Sequence, residues 1–251
     1  MTLPALVSLY ISHKRALGHR FRTEDAVLRS FCRTVGEDSA ASVDAEVVLV
    51  FLNGNGPVTA YWVKKYHVLS GFYRFALARG FVSSVPLPHS IPKLAAPDFV
   101  PYIYSHAELK RLLDAVPAAC AGRVPIDAVV FRALLLLLYG AGLRISEAVS
   151  LSIADVDLDQ TCLIVRGTKF YKSRLVPLGK DLAQAMSDYV GKRNDRHSSA
   201  ADTPFFCFRD GAPLSKSAAR STFRRLRAKA NVVRAGGARQ QPRLHDLRHS
   251  A

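Results

Sequence analysis

The chain has 251 residues, 49% of them hydrophobic, enough for one large or two medium domains with packed cores, so global disorder is excluded. Its 35 Lys and Arg against 20 Asp and Glu give a net charge of +15, and the usual partners of such a surface are nucleic acid or an anionic membrane. No apolar run reaches the roughly 18 residues of a membrane span, and Met1-Thr2-Leu3-Pro4 opens no secretory signal; a cytoplasmic protein without a membrane partner is expected.

Residues 5–33 carry a helical pattern, with Leu6, Leu9, Tyr10, Ala26, Val27 and Phe31 at helix spacing and Gly18 as an interruption. Residues 45–52 read as a short helix closed by Asn53-Gly54-Asn55-Gly56-Pro57. Residues 58–79 form a third helical segment, apolar at Tyr61, Val63, Tyr66, Leu69, Phe72 and Phe75 and basic at Lys64, Lys65 and Arg74. Pro86, Pro88, Pro92, Pro97 and Pro101 then break regular structure and predict an extended linker over 83–101. The expected organisation is a helical domain at 1–82, this linker, and a second domain at 102–251. The first helix of that domain opens at a capping box, Ser105-His106-Ala107-Glu108.

In the second domain, residues 133–138 are apolar all round, so their helix belongs inside a core. Gly140 and Gly142 admit backbone angles closed to other residues and predict a sharp turn. After it, Ile145, Ala148 and Val149 share one face of a second helix. Arg144 stands at that junction, and a guanidinium at the edge of an apolar core is costly unless an anion meets it. Residues 162–165 and 174–178 read as the strands of a β-hairpin with basic residues at its tip. A helix over 182–190, a short apolar strand at 205–208 and a strongly basic helix over 217–230 follow. From Arg209 to Arg248, eleven Lys and Arg face only Asp210 and Asp246. Cys32, Cys120, Cys162 and Cys207 form no Cys-x-x-Cys pair and read as small hydrophobes, so neither a metal nor a cofactor is expected.

Three places offer phosphate-binding groups: Arg144 after the glycine turn, Lys169 or Lys172 at the hairpin tip, and Leu244-His245-Asp246-Leu247-Arg248-His249. His245 and Arg248, three residues apart, present on one face of a helix. Singly, each has a plain reading as a solvated charge, a surface ion pair or a core histidine. Together they are the set a phosphodiester transition state requires. Two guanidiniums can clamp non-bridging oxygens, a lysine can protonate the departing oxygen, and a histidine can manage the proton of an attacking hydroxyl.

Gly142-Leu143-Arg144-Ile145-Ser146-Glu147, Arg174-Leu175-Val176-Pro177-Leu178 and Leu244-His245-Asp246-Leu247-Arg248-His249 resemble, in order and spacing, the motif set of the tyrosine recombinases, the phage-integrase and Xer-like family. The resemblance spans almost the whole chain. It implies a mainly α fold with a small β-sheet, in which a helical core-binding domain precedes an α+β catalytic domain. It also implies site-specific recombination of double-stranded DNA through a phosphotyrosine intermediate. Arg144 and Arg248 would be the catalytic arginines, His245 the histidine between them, and Lys169 the general acid, with Lys172 the runner-up; Glu147 would support the arginine region. Duplex contacts are expected from Lys64, Lys65, Lys172, Arg174, Arg220, Arg224, Arg225 and Arg227. Self-association on paired half-sites is expected as well. The family's tyrosine nucleophile follows the His-x-x-Arg segment, and Ala251 comes first. An incomplete copy that does not cut DNA by itself is therefore expected, the alternative being a non-catalytic DNA-binding module. A basic RNA-binding or scaffold protein is the third reading, one that the ordered motifs disfavour.

Overall fold

A computed structural model describes the chain except residues 57, 95–99, 123, 168–172, 235–240 and 251. The chain divides into two compact units, Met1–Asp98 and Phe99–Ala251.

The first unit is built from α1 (Leu3–Ala16), α2 (Arg22–Val35), α3 (Ala45–Asn53) and α4 (Ala60–Ala78). The pattern over 5–33 is two helices, because Gly18 (φ 82°) and Phe21 (φ 42°) take left-handed backbone between them. Helix α1 turns Leu3, Leu6, Val7, Tyr10 and Ile11 inward, and α4 meets them with Leu69, Phe72 and Tyr73. Each such burial stabilises by about 1.5–3 kcal/mol. The Trp62 indole donates to Asn53 Oδ1 at 2.9 Å and ties α4 to the end of α3. Part of the range expected as a linker is packed on this core. Val85 and Leu87 lie against it, and the Tyr66 hydroxyl donates to the Pro88 carbonyl at 3.3 Å. Proline removes an N–H but keeps an acceptor and an apolar ring, so a proline-rich stretch can still dock.

The second unit opens with α5 (His106–Asp114), capped by Ser105 and Glu108, then α6 (Val116–Ala119) and α7 (Ala128–Gly140). Asp127 caps α7 through its Oδ1, which accepts from the Val129 N–H at 2.9 Å. Seven of the residues of α7 are buried, and the helix packs on α9 (Lys180–Asn194) and on a 3-10 helix, Leu244–His249. Its two glycines differ in purpose. Gly142 (φ 58°) makes the left-handed turn, whereas Gly140 ends the helix, where a Cβ would sit 2.9 Å from a Leu182 methyl. After the turn comes α8 (Ile145–Ala148), a single turn and not a long amphipathic helix.

The expected hairpin has a third strand. β1 (Val156–Asp157), β2 (Cys162–Val165) and β3 (Arg174–Pro177) form an antiparallel sheet in that order, with Val165 opposite Arg174 and Leu163 opposite Val176. Residues 205–208 are not a strand but make isolated bridges, Pro204 to Ser152 and Cys207 to Pro213. Prolines on both bridges remove the N–H groups that a ladder would need to extend. Helix α10 (Lys216–Lys229) is capped by Ser215 and buries Ala219, Thr222, Phe223 and Leu226. No helix among the described residues is long and apolar enough to cross a membrane.

Candidate functional site

Arg144 is held at the N-cap of α8. Its backbone N–H and its Nη1 each donate to Glu147, at 2.9 Å, while its side chain stays 47% exposed. Glu147 is buried and also accepts both Nη atoms of Arg174, at 3.1 and 2.9 Å. Burial opposes ionisation of this carboxyl, but the fork of Arg174 and the two bonds from Arg144 outweigh it and bring its pKa down to about 2. One carboxylate thus carries two guanidiniums, and the cluster keeps a positive charge.

Arg174, expected as a duplex contact, is thus also a partner of Glu147, with 39% of its side chain still exposed. Side chains alternate along a strand, so Arg174 shares the face of Val176, opposite the inward Val165 and Leu163, while Leu175 points out and is exposed. Its guanidinium is aimed at the Arg144 turn. Lys169 and Lys172, between β2 and β3 in the chain, lie outside the described residues.

The 3-10 helix Leu244–His249 repeats the device. Asp246, 2% exposed, accepts the Arg243 backbone N–H at 2.8 Å and Arg243 Nη2 at 2.9 Å. His245 and Arg248 follow on the same short helix. A 3-10 helix repeats every three residues, so the two stack along one edge. Arg248 carries a buried Nη1 with no hydrogen-bond partner. Partial desolvation of the His245 ring, with His249, Arg243 and Arg248 nearby, holds its pKa below the ordinary histidine value, and Asp246 opposes them. The His245 and His249 rings meet edge to face, with centroids 5.4 Å apart.

His245 opens onto a groove of about 820 Å³ that Ile145, Arg243 and the α10 residues Lys216, Arg220, Arg224 and Arg227 also line. Arg220, Arg224 and Arg227 follow i, i+4, i+7 spacing, which is one face of a helix. Arg227 donates to the Pro242 carbonyl at 3.0 Å and keeps a buried Nε with no partner. Arg225 does not join them. One position from Arg224, it turns about 100° around the helix, donates to Thr222 Oγ1 at 3.1 Å and acts electrostatically on Cys120, away from the groove residues. Arg225, expected as a duplex contact, is exposed but does not line this groove.

In the first unit, Lys64 lines a groove of about 580 Å³ with Lys14, His67 and Arg74. Lys65 is a correction. It is 8% exposed, donates to the Phe51 carbonyl and lies over the Phe51 and Tyr61 rings. Desolvation lowers its pKa, and its ammonium is committed to the Phe51 carbonyl. Sequence reading also missed the Arg243–Asp246 pair, although the Arg-x-x-acid spacing it shares with Arg144–Glu147 was available as a signal. Among the described residues no group of three or more His, Cys, Asp or Glu could hold a metal ion.

Residues 103–251 match the profile of the phage integrase family. The chain is similar to the candidate integrase/recombinase y4rE of Sinorhizobium fredii, 32% identical over 247 residues, covering 97% of this chain and 77% of that protein. It is 33% identical over 184 residues to the tyrosine recombinase XerD of Corynebacterium glutamicum, covering 73% of this chain and 57% of that one. Among solved structures it resembles the Tn1549 transposon integrase in complex with a circular intermediate DNA (TM-score 0.72, 18% identity, covering 100% of this chain and 85% of that one). It also resembles a lambda integrase dimer bound to a COC′ core site (TM-score 0.71, 18% identity, covering 100% and 88%). At that identity the structural likeness carries the fold.

Proposed function

This chain belongs to the phage integrase family of tyrosine recombinases, and on that premise we propose that it binds double-stranded DNA through the groove between α8, α10 and the Leu244–His249 helix and serves site-specific strand exchange there. The observation that carries the reading is the buried, unpartnered Nη1 of Arg248, on the same short helix as His245, which lines a strongly basic groove. A buried charged donor without an acceptor costs roughly 1–3 kcal/mol or more, and a phosphate oxygen would satisfy it. Arg144 and Arg248 then clamp the non-bridging oxygens of one phosphodiester and offset charge that grows in the transition state. His245, whose pKa desolvation and the neighbouring cations lower, handles the proton of the attacking hydroxyl. Lys169 protonates the departing oxygen, with Lys172 as the alternative.

Arg220, Arg224 and Arg227 supply duplex contacts from α10, and Lys64 supplies one from the first unit. Lambda integrase has been solved as a dimer on a core site and as a tetramer on a Holliday junction, which supports self-association of this chain on paired half-sites. The tyrosine nucleophile is not assigned to any residue of the groove.

Two measurements test this. Duplex affinity measured against salt is expected to fall with a log–log slope of several units; affinity indifferent to salt would overturn DNA binding. A nicked suicide duplex is then offered to the chain and to the same chain extended by the part of y4rE that the alignment leaves uncovered. A covalent adduct lost in Arg144→Ala and Arg248→Ala, with binding retained, is the expected result. Adduct formation at the parent rate in either variant would remove that arginine from the chemistry. Duplex binding with no adduct in the extended chain would reduce the function to DNA occupancy.

A further inference from the structure

We propose that Tyr104 is the positioning residue of the candidate site: it fixes both ends of the 3-10 helix that carries His245 and Arg248. The functional consequence rests on the recombinase reading, whereas the geometry lies wholly within the second unit. The Tyr104 hydroxyl donates to the Arg243 carbonyl at 2.8 Å, directly before the helix. The Tyr104 backbone N–H donates to Ser250 Oγ, also at 2.8 Å, directly after it. One residue therefore holds the two flanks of a six-residue segment, flanks that lie 139 and 146 positions away in the chain.

Such an anchor answers a physical need. A 3-10 helix has poorer hydrogen-bond geometry than an α-helix and is seldom stable in isolation. The internal bonds at its two ends run from the Asp246 N–H to the Arg243 carbonyl and from the Ser250 N–H to the Leu247 carbonyl, at 3.0 and 3.1 Å. A carbonyl has two lone pairs, so the Arg243 oxygen takes the tyrosine hydroxyl as a second donor without giving up the first. Ser250 Oγ in turn donates to the Asp246 carbonyl at 3.2 Å and carries the anchor back into the helix.

Tyr104 is itself rigidly placed. It is 4% exposed and meets Phe223 edge to face at 6.4 Å, and Phe223 lines the groove from α10. Burial raises the pKa of its hydroxyl, which therefore remains a donor at any working pH. The same ring thus fixes the distance between the His245–Arg248 edge and the α10 wall. Tyr102 provides the contrast. Its hydroxyl goes to Glu108 at the start of α5, a bond that touches neither end of the 3-10 helix.

The test compares Tyr104→Phe with Tyr102→Phe, each of which removes one hydroxyl and keeps the ring. Imidazole titration of His245 by NMR and amide exchange at Asp246 and Ser250 are the readouts, because a merely structural loss elsewhere moves neither. In Tyr104→Phe, the His245 midpoint is expected to rise toward the ordinary histidine value as the ring leaves its desolvated site. Exchange at the Asp246 amide is expected to quicken on the order of tenfold, the measure of one lost hydrogen bond, while the Ser250 amide, whose flank the Tyr104 backbone N–H still holds, stays nearer the parent value. Tyr102→Phe should leave both at parent values. An unmoved His245 with parent exchange in Tyr104→Phe overturns the proposal. If that variant does not fold, Ser250→Ala carries the same test, with quickened exchange expected at Ser250; parent exchange there is the overturning result. Failure of the recombinase reading would instead appear as salt-independent duplex affinity in the parent chain, with the contrast between the tyrosines intact.

Discussion

Arg144–Glu147 and Arg243–Asp246 are two copies of one local device: an arginine at the N-cap of a short helix, with a carboxylate three residues on that takes both its backbone N–H and its guanidinium. They differ in what else reaches the carboxylate. At Glu147 a second arginine arrives from β3, so both cations are anchored and the pair keeps one net positive charge. At Asp246 only Arg243 is bound among the nearby cations, and Arg248 two residues on is left with an open donor. The first arrangement makes a rigid cation, and the second leaves a receptive one. An acid in a basic site therefore decides by its choice of partner which neighbouring cation remains available to a phosphate.

The largest effect that would break or sharpen this contrast is acid sensitivity at Glu147. Its pKa is lowered by the fold from 4.5 to about 2. The corresponding stability is present above pH 4.5 and lost as pH falls through about 2, on the order of 3 kcal/mol. Urea unfolding at pH 5 and pH 2 should register this loss in the parent chain, beyond the change in Glu147→Gln. Equal losses in the two would dissolve the difference between the carboxylates. Next in size is Asp246→Ala, expected to cost about 2 kcal/mol by removing the buried carboxylate that caps the N-terminus of its helix. Because Asp246 opposes the lowering of the His245 pKa, its removal should drive that midpoint further down, as NMR titration would measure.

Arg174→Lys is a smaller change, about 1 kcal/mol, since an ammonium cannot reproduce the bidentate fork. The salt slope of duplex binding should be untouched, whereas Arg220→Ala should lower it by about 0.9. A lowered slope in Arg174→Lys, or an unchanged one in Arg220→Ala, would reverse their assignments. The smallest effect separates two adjacent lysines. Lys64→Met should take about 0.9 from the slope, and Lys65→Met should take nothing, because its ammonium already serves the Phe51 carbonyl.

Much of the fold is legible in order along the chain. The apolar run of α7 and the Ser105–Glu108 capping box act within a few residues, where side-chain type and spacing carry the information. How several basic side chains are placed was available as phase. Lys65 falls in the stripe of Trp62, Leu69 and Phe72, the i, i+3, i+7 face that α4 buries. Arg174 shares the strand face of Val176, and Arg225 sits a third of a turn from Arg224. A basic residue type by itself indicated a surface, and phase was the stronger signal.

Family membership, the helical segments and the order of the Arg144, His245 and Arg248 motifs are written in the sequence, since each depends on residues close together in the chain. Which cations are spent and which are open was decided only in three dimensions. Glu147 and Arg174 are 27 positions apart, and Tyr104 and Arg243 are 139 apart. The state of a charge depends on the desolvation and the acceptors that surround it in space, and those neighbours come together only when the chain is folded.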